Sequence, residues 1–185
     1  MHRDKVAVVE EIKDAVEEHV ENMVNGGEMR MKTAEYILGG GDKPGVYYEN
    51  VKTHKMDENH NMSEGFPARG IMSIKNTAIE RLGDFVDFKV NKGMQSLTTY
   101  LKDTKSLLQM IDQKNKCGPI SDNVDWLSAD MKSMYQNMPE EESEAGCREY
   151  LDSREMKPGE PSTDSVIECL NICQKNNLFE FMYTL

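Results

Sequence analysis

Apolar residues recur three or four apart over residues 4–25, at Val9, Ile12, Val16, Val20 and Met23. That spacing lines them up on one stripe of an amphipathic helix. Asp4 can cap its start, and Gly26-Gly27 stops it. The polar face carries Glu10, Glu11, Glu17, Glu18 and Glu21. Met31, Ala34, Ile37 and Leu38 predict a shorter helix, broken by Gly39-Gly40-Gly41. Residues 39–70 then lose the period. Asp42-Lys43-Pro44-Gly45 and Gly65-Phe66-Pro67 read as loop or linker chemistry. Val46-Tyr47-Tyr48 could form a short strand, but no partner strand is evident. A loop of this length inside a compact domain is either functional or disordered.

The longest periodic run covers residues 71–114. Ile71, Ile74, Ala78, Leu82 and Phe85 mark its first stretch. Met94, Leu97, Leu101, Thr104, Leu108 and Ile111 mark its second. Gly93 and a change of phase predict a kink near residues 91–93. In the second stretch, Met94, Leu101 and Leu108 take a-type positions, and Leu97, Thr104 and Ile111 take d-type positions. These six are the candidate interaction seam, with Lys102, Asp103, Lys105 and Gln109 facing water. Cys117-Gly118-Pro119 ends the run.

Val124, Leu127, Met131, Met134 and Met138 predict a helix over 122–138, with Trp126 and Tyr135 beside the stripe. Residues 139–164 are the most acidic stretch and contain the linker-like Pro158-Gly159-Glu160-Pro161. A last helix is expected near Ser165, where Ser165 and Glu168 have capping-box spacing. Val166, Leu170 and Cys173 share one of its faces. Leu178, Phe179, Phe181, Met182, Tyr183 and Leu185 make an end too apolar for water, so it should dock on a core or a partner. The expected organisation is an N-terminal amphipathic arm (1–38), a loop or linker (39–70), a central long helix or hairpin (71–117) and a C-terminal helical unit with an acidic linker (118–185). The fold class is mainly α, a helical bundle with a long central helix or helical hairpin and a coiled-coil seam.

Charge narrows the partners. The chain of 185 residues has 33 Asp+Glu against 22 Lys+Arg, a net charge of −11. That balance repels a phosphate backbone and an anionic lipid surface. It is uneven: residues 1–38 hold nine acids and five bases, residues 71–117 five acids and eight bases. No stretch approaches the roughly 20 apolar residues of a membrane span. The first residues lack the apolar core of a secretory signal, so an intracellular, cytoplasmic protein is expected. In that setting Cys117, Cys147, Cys169 and Cys173 should be free thiols. The 14 methionines suit an irregular core or an adaptable binding surface.

Candidate chemistry fails in detail. Asp57, Asn59 and Asn61 fall where a calcium loop places oxygen ligands, but Met62 stands where glycine turns the loop and Ala68 where a glutamate should close it. Cys169 and Cys173 lie one helical turn apart, with no second pair to complete a zinc site. Lys43 in the glycine stretch is followed by Pro44, not by the Ser or Thr of a phosphate loop. His2, His19, His54 and His60 are dispersed, and no nucleophile motif is present. Leu82, Phe85, Phe88 and Val90 match a leucine-rich export spacing, which a core-facing helix stripe also produces. No catalytic residue, cofactor or metal ligand is expected, and the chain reads as a non-enzyme. The expected function is a protein–protein interaction module, an oligomeric adaptor, scaffold or accessory protein whose partners include a second copy of itself. Its layout resembles that of virus-encoded polymerase cofactors with central coiled coils, by analogy of layout alone. The alternative is an acidic regulator or inhibitor that meets a basic partner through residues 139–164.

Overall fold

The computed structural model describes residues 5–53, 56, 66–118, 127–132 and 134–181. The chain divides into two compact units, residues 1–88 with 154–185, and residues 89–153. Of the described residues, 57% are helical, so the chain is mainly α, with a small three-stranded sheet.

The first unit is built around α1 (Lys5–Asn25). Its buried residues are Val9, Ile12, Val16, Val20 and Met23, the stripe the sequence predicts. Side chains of this size each contribute at most roughly 1.5–3 kcal/mol when fully buried. The stripe packs against α2 (Met31–Leu38) and against α7 (Thr163–Lys175). Ala34 and Ile37 come from α2; Val166, Ile167, Cys169 and Ile172 come from α7. Leu82, Phe85 and Val86 of α3 (Glu80–Ser96) are also buried. At the surface Tyr36 clips α2 to α3. Its hydroxyl donates to Asp84 Oδ2 at 3.0 Å, and Arg81 stacks 5.0 Å above its ring while donating to its carbonyl at 2.8 Å. The hydrogen bond to Asp84, with some desolvation, raises the Tyr36 hydroxyl above its ordinary range.

The glycine run after α2 is a close-packing device. Gly41 N–H donates to Thr77 O at 3.1 Å, and Lys43 N–H to Asn76 O at 3.3 Å. A Cβ on Gly41 would lie 1.8 Å from Asn76 O. Only glycine lets the two backbones meet this way. Asn76 itself takes a left-handed φ of 62°, which asparagine tolerates better than most residues. Its N–H donates to Glu80 Oε2 at 2.7 Å, at the start of α3.

The sheet runs β2-β1-β3. Strand β1 (Gly45–Val51) pairs antiparallel with β2 (Ala68–Ser73), Val46 opposite Ser73 and Val51 opposite Ala68. It pairs in parallel with β3 (Phe179–Phe181), Gly45 opposite Phe179. Tyr47, Phe179 and Phe181 gather on one face, with Tyr47 and Phe181 ring centres 4.8 Å apart. Lys5 forms an ion pair with Glu180.

In the second unit, α3 runs on to Ser96, and α4 (Thr104–Lys116), the four-residue α5 (Met134–Asn137) and α6 (Glu140–Ser153) follow. Glu140, Glu141 and Glu142 fill the first turn of α6, where carboxylates oppose the positive end of the helix dipole. Leu151 is its buried residue. Gly93 abuts the Tyr150 ring so closely that a Cβ would lie 2.2 Å from Cε2.

Several expectations need correction. Residues 39–70, expected as loop or linker, hold β1 and the first half of β2. The partner strand of Val46-Tyr47-Tyr48 is supplied by residues read as helix, and Ile71 and Met72 are strand residues. The helical spacing of Ile71, Ile74 and Ala78 arises across a strand, a turn and the approach to α3. Gly93 causes no break, because the helix needs its missing side chain to admit Tyr150. The break falls at residues 97–103, where Asp103 caps α4 by accepting from Ser106 N–H at 2.8 Å. The acidic segment read as linker is helical as far as Ser153. The last helix starts earlier, with Ser162 rather than Ser165 as its cap. The predicted 122–138 helix lies partly outside the described residues; among those described, it holds only α5.

Gly41→Ala should lower the stability of the first unit by about 1–3 kcal/mol through forced backbone displacement. Urea unfolding followed by circular dichroism would read this as a lower midpoint. An unchanged midpoint would show that the glycine loop does not pack as described.

Candidate functional site

Three places in the molecule gather groups that could act chemically or in binding. The first is a polar cluster in the first unit, where α1 meets the start of α7. Glu28 Oε2 accepts from Ser162 N–H at 2.9 Å and from Ser162 Oγ–H at 3.1 Å. The Ser162 and Ser165 hydroxyls lie 2.9 Å apart, and Ser162 Oγ accepts from Ser165 N–H at 3.2 Å. His19 Nε2 lies 2.9 Å from Ser165 O and must carry the proton there, since a carbonyl only accepts. Burial pushes the Glu28 carboxyl upward. Hydrogen bonds from the Ser165 hydroxyl and from Ser162, with the His19 charge, outweigh that and hold it below its ordinary value of 4.5. Acid, histidine and serine are therefore neighbours. However, His19 faces a carbonyl rather than a serine hydroxyl, so it is not placed to take a proton from a nucleophile. The arrangement is an anion held at a helix N-terminus, which fixes α7 on α1.

The second place is the cysteine pair of α7. Cys169 is buried, with Sγ 3.8 Å from Met23 Sδ, and Cys173 Sγ lies 3.9 Å from Ile79 O. Burial pushes the thiols up to about 12 and about 11. Burial also raises Cys147, whereas Cys117 is exposed. All four thiols are unpaired. Among the described residues, no three of His, Cys, Asp and Glu gather as a metal site. Asp57, Asn59 and Asn61 of the incomplete calcium-loop pattern, and His54 and His60, lie outside the described residues.

The third place is the apolar surface of the second unit, where the sequence puts the candidate seam. Met94 sits in the last turn of α3. Leu97 and Leu101 lie in the connection. Thr104, Leu108 and Ile111 belong to α4. The six therefore do not share one continuous helix. Most of them are exposed: Met94, Leu97, Leu101 and Leu108 by 54%, 60%, 43% and 59%, whereas Ile111 is half-buried. Leu107 and Met110 are exposed as well, and α4 has no buried residue. Heptad spacing finds Leu108 and Ile111 but misses Leu107 and Met110. The signal that would have found them is the four apolar residues among five at 107–111, wide enough for a broad face.

An open groove of about 210 Å³ in the first unit lies between α1, the end of α2 and the glycine loop. Its floor is Val16, Ile37, Leu38 and Ala78, and its charged groups are Lys13 and Glu17, one turn apart on α1. No described helix is long and apolar enough to cross a membrane. No protein-family model, curated protein or solved structure matches the chain.

Two outcomes follow from the buried clusters. Glu28→Gln should destabilise the fold at neutral pH by about 0.5–1 kcal/mol, as losing an anion at a helix N-terminus does. Because the folded carboxyl lies below its unfolded value, the stability it adds is full above pH 4.5 and fades as pH falls through the folded value. The difference between wild type and variant in thermal melts should therefore be larger at pH 7 than at pH 3. Alkylation of the native protein at pH 8, read by mass spectrometry, should modify Cys117 first and Cys169 only on unfolding. Equal rates at the two thiols would contradict the burial of Cys169.

Proposed function

We propose that this protein acts by binding other proteins, and that the end of α3, the connection after it and α4 form its binding surface. The observation that carries the reading is α4 itself. It is a helix of 13 residues with Leu107, Leu108 and Met110 exposed and no buried residue. Single exposed apolar side chains are ordinary on any surface, but a helix with most of its apolar face in water is not. A helix of this length barely holds in water without packing. The methionines of this stretch, Met94 and Met110, are flexible enough to shape themselves to a partner. The candidate seam enters this surface as separate pieces, with Leu108 and Ile111 on α4 and Leu97 and Leu101 before it. The role is that of an adaptor, scaffold or accessory protein that works through contact rather than catalysis. Four unpaired thiols suit a reducing, cytoplasmic setting.

A second reading draws on α6, whose Glu140, Glu141 and Glu142 are exposed in its first turn. It makes the chain an acidic regulator of a basic partner. The two readings separate by salt, since an apolar surface binds almost independently of it and an acidic patch weakens steeply. Capture on the immobilised full chain should retain partners at 0.5 M salt and lose them with Leu108→Asp. Capture that survives Leu108→Asp and collapses with salt would instead support the acidic reading.

A further inference from the structure

We propose that α4 is a self-association helix, which pairs antiparallel with α4 of a second copy of this chain along Leu107, Leu108, Met110 and Ile111. The inference rests on the binding reading above and names the partner. On a helical wheel these four residues span one broad face, with Thr104 and the stem of Lys114 at its two ends. Lys105, Gln109, Asp112 and Gln113 lie on the opposite side.

The register follows from that face. A two-fold axis level with residue 109 sets Leu107 opposite Ile111 of the second copy, and Leu108 opposite Met110. Every apolar position then meets an apolar position. The ends also match, because Lys114 comes level with Thr104 of the second copy, next to the capping Asp103. A parallel, in-register pair would instead place Lys114 beside Lys114. Like charges so placed disfavour the pairing, so the sequence of α4 selects the antiparallel one.

The exposed area is small for an interface: from their fractional exposures, Leu107, Leu108 and Met110 leave on the order of 300 Å² of α4 in water, and Met94, Leu97 and Leu101 beside them a similar area, against ~800 Å² per partner in a standard interface, so the pair forms at high concentration. The charge of the whole chain adds a signature. Two copies at −11 each repel at long range, so salt should strengthen this dimer by screening. A partner of opposite charge would show the reverse.

Sedimentation equilibrium of the full chain up to about 200 µM tests the proposal. The wild type should rise from 21.1 kDa towards twice that mass, and further in 0.5 M than in 0.05 M salt. Leu108→Asp, at a position already 59% exposed, should stay at the monomer mass with unchanged circular dichroism. Orientation is read in a Cys117→Ser background by mixing Leu107→Cys chains with Ile111→Cys chains under oxidation. The mixed disulfide should exceed either homodisulfide several-fold. A wild-type monomer at that concentration, a dimer indifferent to Leu108→Asp, or an excess of homodisulfides would each overturn the antiparallel α4 pair. A monomer that still captures other proteins through Leu108 would leave the broader binding reading standing alone.

Discussion

The stripe on α1 from Val9 to Met23 must be covered, and the cover comes from both ends of the chain. Residues just after α1 fold back as α2, and α7 arrives from more than a hundred residues away. Once α7 is seated, only three residues separate it from β3. That short link delivers Phe179 and Phe181 to the edge of β1, where Tyr47 completes the aromatic cluster. The place of β3 therefore depends on the helix packing more than on its own pairing, as a strand of three residues needs support to persist. Glu28 fixes the point of closure. Its carboxylate replaces water at the N-terminus of α7 while His19 holds the first-turn carbonyl of Ser165.

The two units spend their apolar residues differently. In the first, the regular stripes of α1 and α7 are buried. In the second, α6 buries Leu151, while α4 leaves its leucines in water. Hydrophobic burial is the main favourable term in folding, so an exposed apolar face is stabilisation withheld from the fold. Asp103 compensates locally, since its cap satisfies the Ser106 N–H and starts the helix without help from a core. The Lys116–Asp112 pair adds a small surface contribution near the other end.

What the sequence made legible was the part governed by local periodicity. The bounds of α1 and α2 were readable because stripe and breaker agreed; of the apolar C-terminal end, Phe179 to Phe181 pair with β1, while Met182, Tyr183 and Leu185 lie outside the described residues. The sheet was not, because a strand pairing across twenty residues and another across more than a hundred leave no local trace. Ile71 and Ile74 imitated a helix, since three-residue spacing does not distinguish a turn of helix from a strand leading into a bend. Gly93 was mistaken for a break because a glycine's cost in a helix is visible in sequence and the Tyr150 ring that requires it is not. The opposite error hid Asp103. Its place off the heptad stripe suggested a solvated face, although Asp followed by Ser three residues later is also a helix start. The candidate seam was legible as a set of apolar positions but not as a shape, since the connection at residues 97–103 divides it.

An acidic chain with a basic strip around its exposed apolar face has a built-in filter. Residues 89–117 carry six lysines and two aspartates, within a chain of net charge −11. At long range an approaching molecule meets the excess of carboxylates, which discourages indiscriminate contact among copies. Within roughly a Debye length, about 8–10 Å at ordinary salt, the local lysines dominate instead. Apolar contact then supplies affinity, and charge position supplies register. Such a surface disfavours a partner that brings a lysine against Lys114 and accepts one that places a carboxylate there. The proposed antiparallel arrangement of α4 on itself meets that condition with Asp103. The position of that aspartate, at the opposite end of the face from Lys114, favours the antiparallel direction over the parallel one.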